Sequence, residues 1–169
     1  MVDAELRALA ERLQGVCLGR GLSVALAESC TGGLVAATLT EIPGSSRYFL
    51  GAVISYADSS KESLLGVPPA TLAAHGAVSA QVARAMAAAA RERFGASLAA
   101  SVTGIAGPDG GSAEKPVGLT YVGLADADTV DVRRYSWPGD RAGNRRESVR
   151  AVLLWLIERA ETLSIEHRA

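Results

Sequence analysis

Cysteine and histidine are scarce in this sequence, which contains two residues of each type among 169. Two cysteines, Cys17 and Cys30, cannot build a disulfide scaffold, and together with two distant histidines they make a poor set of metal ligands. A disulfide-stapled fold and a zinc-type centre are therefore both unexpected. We predict a functional site that holds neither a metal ion nor another cofactor.

The sequence also lacks a charge imbalance and a long apolar run. Its formal net charge is −1, which gives no bulk electrostatic reason to expect binding to nucleic acid or to a membrane surface. No apolar stretch approaches the roughly 18 residues that a membrane span requires. The N-terminal segment MVDAELRALAERL carries acidic and basic residues among its apolar ones, so it does not have the pattern of a signal peptide. We expect a cytoplasmic enzyme or binding domain.

The sequence does have the length and apolar content for one sizeable core. Hydrophobic residues make up 49% of the chain, and no long linker or internal repeat divides residues 1–169, so we predict a single domain. The apolar pattern predicts helices over 4–18, 34–40, 58–65, 69–74, 79–94 and 140–162, and strands over 23–27, 50–56, 97–102, 117–124 and 130–137. Such alternation, followed by a hairpin, is typical of an α/β fold with a mixed sheet and helices on both faces.

Three polar segments follow predicted strands: Glu28–Gly33, Ser55–Lys61 and Thr103–Pro116. Ligands in open α/β sheets gather at the carboxyl ends of the strands, so these segments are the first candidates for a site. The serine-bearing segment 44–46 precedes the second strand, and on the same rule it would lie at the opposite end of the sheet. An antiparallel second strand would reverse that conclusion, and sequence spacing leaves the matter open.

The segment Glu28–Gly33 has the pattern of a strand-to-helix turn. Its glycines allow close approach of a ligand, and free amides at a helix start favour an anion or a carbonyl oxygen. It carries neither the GK[ST] of a Walker loop nor the G-x-G-x-x-G of a dinucleotide fingerprint. An ordinary capped turn is the alternative interpretation.

Lys61 stands at the start of a predicted helix, where Ser59 as N-cap and Glu62 three residues later fit a capping box. The helix dipole disfavours a cation in the first turn, and burial would add to this, so both effects would lower the pKa of the amine. With Ser55 and Tyr56 just upstream, a serine, a tyrosine and the lysine could meet in one pocket. A neutral lysine that activates a serine is a known variant of acyl transfer. A solvated surface lysine is the alternative.

A glycine-rich segment, Thr103–Gly111, follows the third predicted strand. Such loops wrap ligands with their backbone amides, although a flexible surface loop has the same composition. Further along, Arg141, Arg145 and Arg146 open the last predicted helix and could hold a phosphate. A solvated helix face is the more usual meaning of arginines in that position.

Five motifs, in this order, resemble the CinA C-terminal domain family. They are AESCTGG at 27–33, IPGSSRYFLGAVISYADSSK at 42–61, LLGV at 64–67, AHGAVS at 74–79 and VTGIAGPDGG…EKPVG at 102–118. The resemblance extends over nearly the whole chain, and several independent motifs in fixed order make it specific. It implies a three-layer α/β/α sandwich that assembles as a dimer or larger homo-oligomer.

A chain of this length without a preceding domain resembles the stand-alone, PncC-type form of that family. The resemblance implies hydrolysis of nicotinamide mononucleotide to nicotinate mononucleotide and ammonia, in pyridine-nucleotide salvage. It also implies a serine nucleophile at Ser46 in the PGSS motif, with Tyr56 and Lys61 as its proton-transfer partners. Ser45 is a competing assignment for the nucleophile.

The resemblance further implies a set of residues that contact the substrate or shape its pocket. They lie in the ESCTGG motif, in the VTGIAGP motif and at the start of the last helix, and comprise Ser29, Thr31, Gly32, Thr103, Gly104, Arg145 and, as its competitor for the phosphate, Arg141. The expected partners are therefore a small-molecule substrate and other copies of the same chain.

Two other functions stay open. One is a non-catalytic nucleotide-binding or protein-interaction module, since the family name comes from an association with competence and some members carry a second domain. The other is a thiol amidase that uses Cys30, which also stands in a glycine-rich turn but has no obvious histidine partner.

Overall fold

Six α-helices and five strands make up the part of the chain that the computed structural model describes, residues 3–164. The helices are α1 Ala4–Arg20, α2 Leu34–Thr40, α3 Asp58–Leu65, α4 Pro69–His75, α5 Ala80–Phe94 and α6 Arg141–Thr162, and a short 3₁₀ helix covers Ser45–Arg47. The strands are β1 Val24–Glu28, β2 Phe49–Ile54, β3 Leu98–Gly104, β4 Leu119–Ala125 and β5 Val130–Ser136. All predicted helices and strands are present, with ends that differ by one or two residues at most. None of the helices in these residues is long and apolar enough to cross a membrane.

The five strands form one mixed sheet in the order β2-β1-β3-β4-β5. β1 pairs in parallel with β2 on one side and with β3 on the other, whereas β4 and β5 form an antiparallel hairpin next to β3. Glu28 at the end of β1 lies between Ile54 of β2 and Val102 of β3. The carboxyl ends of these three strands therefore meet at one end of the sheet, which we call the carboxyl end, and the opposite end is the amino end.

Helices cover both faces of the sheet, as the alternation of helices and strands predicts. Along β1, Val24 and Leu26 face a core shared with α1, α2 and α6, whereas Ala25 and Ala27 face a second core built with α3, α4 and α5. The second core is rich in alanine, and α5 packs so closely on β4 that Gly123 has no room for a Cβ. The fold is thus the expected three-layer α/β/α sandwich with a mixed sheet.

β1 occupies the point where the chain changes direction across the sheet. The connection from β1 through α2 to β2 runs over one face, and the connection from β2 through α3, α4 and α5 returns over the other face to β3. Ligands of open α/β sheets bind in the crevice at the carboxyl end of such a switch point. The residues that follow β1 therefore lie where this class of fold carries its sites.

Candidate functional site

A cleft of about 270 Å³ opens at the carboxyl end of the sheet, beside the end of β1. Its walls come from the segments that follow β1, β2 and β3, from the turn before α5 and from the first residue of α6. The lining residues that bear on its chemistry are Ser29, Cys30, Tyr56, Lys61, Thr103, Gly104 and Arg141. All three polar segments that follow predicted strands therefore contribute to one site.

A lysine amine and a serine hydroxyl are in contact inside this cleft. The Nζ atom of Lys61 donates a hydrogen bond of 3.0 Å to Oγ of Ser29. The same amine donates to the backbone carbonyl oxygens of Ser55, at 2.8 Å, and Tyr56, at 3.4 Å, so the end of β2 fixes its position. Lys61 is 1% exposed and Ser29 is 8% exposed. The pair is therefore shielded from bulk water although it lines the cleft.

Burial lowers the pKa of the Lys61 amine below its ordinary value, because the charged form loses its hydration. Asp58 and the Cys30 thiol act in the opposite direction, and their effects are smaller. All three acceptors of the amine are neutral oxygens, and it forms no ion pair with a carboxylate within residues 3–164. The site therefore makes the neutral amine more accessible than it is in a solvated lysine, and the neutral amine is the form that can accept a proton from a serine.

Helix α3 carries Lys61, but the predicted capping box is not formed. The helix begins at Asp58 with Ala57 as its N-cap, so the prediction that Ser59 caps it is wrong. The carbonyl oxygen of Ala57 accepts hydrogen bonds from the N–H groups of Ser60 and Lys61, which winds the first turn two residues earlier than the capping box would. Lys61 is thus the fourth residue of α3, and its side chain reaches back toward the end of β2.

Glu28, the last residue of β1, is fully buried and organises the turn that follows it. Its carboxylate accepts hydrogen bonds from the Thr31 hydroxyl at 2.6 Å and from the backbone N–H groups of Gly33, Val35 and Ala36 at 3.0, 3.2 and 2.8 Å. The N-cap residue of α2 offers no side-chain acceptor, so this carboxylate replaces the usual helix cap. Glu28 is not among the site residues predicted from the sequence. Its signal is a charged residue that closes an apolar strand directly before a glycine-rich turn.

Thr31, Gly32 and Arg145 support this turn from behind the cleft. The Thr31 hydroxyl is bound to Glu28, and the Thr31 carbonyl oxygen accepts a hydrogen bond of 2.7 Å from Nη2 of Arg145. Gly32 has a φ of +58°, and a Cβ there would lie 3.6 Å from the same guanidinium nitrogen. These three predicted substrate residues therefore shape the turn beneath the cleft and do not form its wall.

Arg141 and Tyr56 meet at the mouth of the cleft. Nη2 of Arg141 donates a hydrogen bond of 3.0 Å to the Tyr56 hydroxyl, and Nη1 donates one of 2.9 Å to the carbonyl oxygen of Gly107. Both side chains are exposed, so the guanidinium joins two walls at a position that a ligand can reach. Of the two competing arginines, Arg141 lines the cleft and Arg145 does not. A cation at the mouth suits an anionic group of a ligand.

β3 ends in the wall of the cleft with Thr103 and Gly104. The buried Thr103 hydroxyl donates a hydrogen bond of 2.9 Å to the carbonyl oxygen of Ala77, which ties the end of β3 to the turn before α5. A Cβ at Gly104 would lie 2.7 Å from the Thr120 hydroxyl oxygen and 2.8 Å from the Leu119 carbonyl oxygen. The close approach of β4 therefore requires glycine at this point of the wall.

Comparison with known proteins identifies the family. Residues 6–160 match the model of the CinA C-terminal domain. The chain belongs to the CinA C-terminal domain family. Similar curated proteins include the CinA-like protein of Geobacter sp. (strain M21), 52% identical over 146 residues, and the putative competence-damage inducible protein of Moorella thermoacetica, 48% identical over 154 residues.

These curated CinA relatives are much longer than the present chain. The matches cover 86% and 89% of this chain but 35% and 37% of the two relatives. The chain therefore spans about a third of the length of the curated relatives it matches.

Solved structures of CinA proteins share the fold. The competence/damage inducible protein CihA from Agrobacterium tumefaciens superposes with a TM-score of 0.91 at 41% identity, over 94% of this chain and 97% of that one. The competence damage-inducible protein A (ComA) from Klebsiella pneumoniae subsp. pneumoniae MGH 78578 gives a TM-score of 0.91 at 29% identity, over 94% and 99%. The sandwich described above therefore accounts for nearly all of both chains.

The nucleophile that the CinA resemblance implies lies away from the cleft. Ser46 belongs to the 3₁₀ helix before β2, and because β2 runs parallel to β1, that helix lies at the amino end of the sheet. Lys61 lies beyond the other end of β2, and a six-residue strand spans about 20 Å. The competing Ser45 lies in the same 3₁₀ helix. The predicted unit of Ser46, Tyr56 and Lys61 is thus not assembled within one chain, and Ser29 stands next to Lys61 instead.

Cys30 lines the cleft beside Ser29 but is a poor nucleophile. Burial raises the pKa of its thiol to about 12, and the protonated thiol is weakly reactive. The geometry of this CinA domain therefore favours the Ser29 hydroxyl over the thiol.

Within residues 3–164 no group of three or more histidine, cysteine, aspartate or glutamate side chains is arranged to hold a metal ion.

Proposed function

We propose that this CinA C-terminal domain hydrolyses the carboxamide of nicotinamide mononucleotide to give nicotinate mononucleotide and ammonia. The buried contact of 3.0 Å between Nζ of Lys61 and Oγ of Ser29 is the observation that carries the proposal. It supports acyl transfer to an activated serine. The choice of substrate comes from the family resemblance, since a serine–lysine pair by itself suits carboxamides and esters in general.

In the proposed reaction Ser29 is the nucleophile and Lys61 is the general base. The neutral amine takes the hydroxyl proton while Oγ attacks the carboxamide carbon, which gives a tetrahedral oxyanion. The ammonium then gives its proton to the leaving nitrogen, the C–N bond breaks, and ammonia departs from a nicotinoyl ester on Ser29. Water, deprotonated by the same amine, attacks the ester carbon. The ester C–O bond breaks, the serine oxygen takes back a proton from Lys61, and nicotinate mononucleotide leaves.

A backbone amide of the turn that carries Ser29 is a candidate donor to the oxyanion. Within residues 3–164 the N–H of Cys30, which lines the cleft, has no main-chain acceptor, whereas the N–H of Gly33 donates to Glu28. In α/β-hydrolases the N–H of the residue after the nucleophile serves this purpose. Loss of one such donor lowers kcat by about 10²–10³-fold in a well-studied serine hydrolase.

Arg141 is our candidate for the substrate phosphate. It is exposed at the mouth of the cleft, and its bonds to the Tyr56 hydroxyl and the Gly107 carbonyl oxygen hold the guanidinium between two walls. Arginine suits phosphate because its planar donors can bind two oxygens at once. The hydrogen bond from Arg145 to the Thr31 carbonyl oxygen supports a structural task for that second arginine.

The homo-oligomer that the family resemblance implies is also a proposal. β2 is an outer strand of the sheet, and its Leu50 and Ile54 side chains are 44% and 50% exposed. An open strand edge with exposed apolar side chains supports association of copies through β2. Light scattering on the wild type and on Leu50→Lys tests this, and an unchanged molar mass in the variant would contradict it.

The direct test is incubation of the purified protein with nicotinamide mononucleotide and a chelator. Equal amounts of ammonia and nicotinate mononucleotide from the wild type, and neither from Ser29→Ala, are the expected result. Calorimetric binding of the nucleotide without ammonia release would contradict the hydrolase and favour the non-catalytic nucleotide-binding module. Loss of activity on chelation, restored by a divalent ion, would contradict a metal-free reaction.

A further inference from the structure

The carboxylate of Glu28 is fully buried and takes no part in the proposed proton transfers. Its four hydrogen-bond partners are one hydroxyl and three backbone N–H groups, all of them donors, so it acts as an acceptor only, as an ionised carboxyl does. A buried charge is costly unless it is well paired. Here the start of α2 supplies three of the four partners.

The hydrogen bonds of Glu28 close a short loop around the nucleophile. The loop runs from the end of β1 to Ala36 in α2, and the Thr31 hydroxyl is bound to the same carboxylate at 2.6 Å. Arg145 holds the other side of Thr31 through its carbonyl oxygen. The segment from Ser29 to Thr31 is therefore fixed by two charged groups that do not line the cleft.

We propose that Glu28 is a positioning residue, which fixes the turn so that the N–H of Cys30, in the wall of the cleft, stabilises the oxyanion. This inference rests on the proposed hydrolase function. A carboxylate suits the task because it accepts several hydrogen bonds at once, and charge-assisted bonds are shorter and stronger than neutral ones. The contact with the Thr31 hydroxyl acts on the residue that directly follows Cys30.

Glu28→Gln tests the proposal, because it keeps the side-chain volume and one acceptor oxygen but removes the charge. We expect kcat for nicotinamide mononucleotide to fall by roughly tenfold to a hundredfold, less than on complete loss of an oxyanion donor, because the amide is displaced and not removed. KM should change by less than about threefold, since the substrate is bound by other groups. Thr31→Val removes one donor to the carboxylate and should lower kcat by about threefold to tenfold.

Asp126 provides a matched control at the amino end of the sheet. It is 5% exposed, and its carboxylate accepts hydrogen bonds from the backbone N–H groups of Asp128 and Thr129 and from the side chains of Thr129 and Arg159. Asp126→Asn should lower the melting temperature but leave kcat unchanged. The result we expect is a fall in kcat per folded molecule for Glu28→Gln and not for Asp126→Asn, which a general loss of stability would not produce.

Labelling by a small fluorophosphonate separates this proposal from the proposed function, since the Ser29 oxygen displaces fluoride and mass spectrometry locates the adduct. A wild-type protein that is neither labelled at Ser29 nor active on nicotinamide mononucleotide overturns both. A protein that is labelled at Ser29 but inactive on nicotinamide mononucleotide contradicts the choice of substrate. The labelling rate then replaces kcat as the measure that compares the variants. Equal rates for Glu28→Gln and Asp126→Asn contradict the proposed role of Glu28 and leave the proposed hydrolase function standing. If Glu28→Gln does not fold, Thr31→Val decides, and a wild-type rate overturns the proposal.

Discussion

Two turns in this molecule contain serine and glycine next to a parallel strand of the sheet, and they differ in what surrounds the serine. The turn Glu28–Gly33 follows β1 and sets Ser29 3.0 Å from the amine of Lys61. The turn Gly44–Arg47 precedes β2 and leaves Ser46 exposed, without a side-chain hydrogen bond to any residue of 3–164. Both turns contain glycine at positive φ. The two turns therefore share residue types and positive-φ glycine, and they differ in their position in the sheet.

The direction of the strands explains this difference. At the carboxyl end, the loops after β1, β2 and β3 converge, so a buried amine on one loop meets a hydroxyl on another. At the amino end the chain arrives from α2, and the 3₁₀ helix leads directly into β2, where the carbonyl oxygen of Tyr48 is bound by the N–H of Val24. A turn with serine and glycine is thus present at both ends, and only the carboxyl end brings two loops together so that a hydroxyl meets an amine.

Exchange of each serine for alanine gives the largest expected difference between the two turns. Ser29→Ala should lower kcat by roughly a thousandfold or more, because it removes the attacking oxygen of a unit that acts together. Ser46→Ala removes the same atom at the amino end and should leave kcat within about twofold. Ammonia release per folded molecule is the measurement, with circular dichroism as the check on folding.

The reverse result would contradict the assignment of Ser29 as the nucleophile. An inactive Ser46→Ala beside an active Ser29→Ala would return the nucleophile to the PGSS motif, and a second copy of the chain would then have to bring it to Lys61. Cys30→Ala should keep its turnover, because burial raises the pKa of that thiol to about 12 and leaves it protonated. An inactive Cys30→Ala that folds would assign the chemistry to the thiol.

Removal of the amine should be nearly as damaging as removal of Ser29. Lys61→Met keeps an unbranched side chain in the buried site but cannot accept a proton, so kcat should again fall by roughly a thousandfold. The double variant with Ser29→Ala should be scarcely slower than either single variant, since residues that act as a unit do not contribute additively. Losses that multiply would show that the two side chains act independently.

Most of the fold could be predicted, because its signals are local. α2 and α3 begin and end at the residues that the apolar spacing and the flanking glycines predict, 34–40 and 58–65. The hairpin of β4 and β5 follows from two short apolar runs on either side of a polar turn. The cap of α3 was the exception, because the choice between Ala57 and Ser59 depends on how the chain leaves β2.

The site could be predicted in part. Three segments after strands were expected to converge, and Lys61 was expected to activate a serine. Which serine it meets depends on the parallel pairing of β2 with β1, and no local run of residues specifies that pairing. The role of Glu28 was not predicted for a related reason, since its partners are amides of a helix that begins several residues later.

The pH dependence of the rate tests whether the buried amine of Lys61 is the base. Burial lowers the pKa of the amine, and the neutral form is the base, so the rate should rise about tenfold per pH unit up to a midpoint below about 10.4, the ordinary lysine value. The charge of Asp58 acts against burial by raising this pKa. Asp58→Asn should therefore shift the midpoint to lower pH, and kcat measured between pH 5 and 10 checks this. A midpoint at or above the ordinary value would mean that a solvated lysine, or another group, controls the rate.

Substitution of the two arginines of α6 gives the smallest expected effect on the kinetic constants. It distinguishes the arginine at the mouth of the cleft from the one that supports the turn behind it. Arg141 is exposed and lines the cleft, so Arg141→Gln should raise KM for nicotinamide mononucleotide by about tenfold, near the lower limit for a hydrogen bond to a charged group. KM for nicotinamide riboside, which lacks the phosphate, should stay within about twofold. Arg145 binds the Thr31 carbonyl oxygen behind the nucleophile, so Arg145→Gln should instead lower kcat for both substrates to a similar extent. The opposite outcome is that Arg145→Gln raises KM for the nucleotide alone while Arg141→Gln changes KM for neither substrate. Arg145 would then bind the phosphate, and the roles of the two arginines would have to be exchanged.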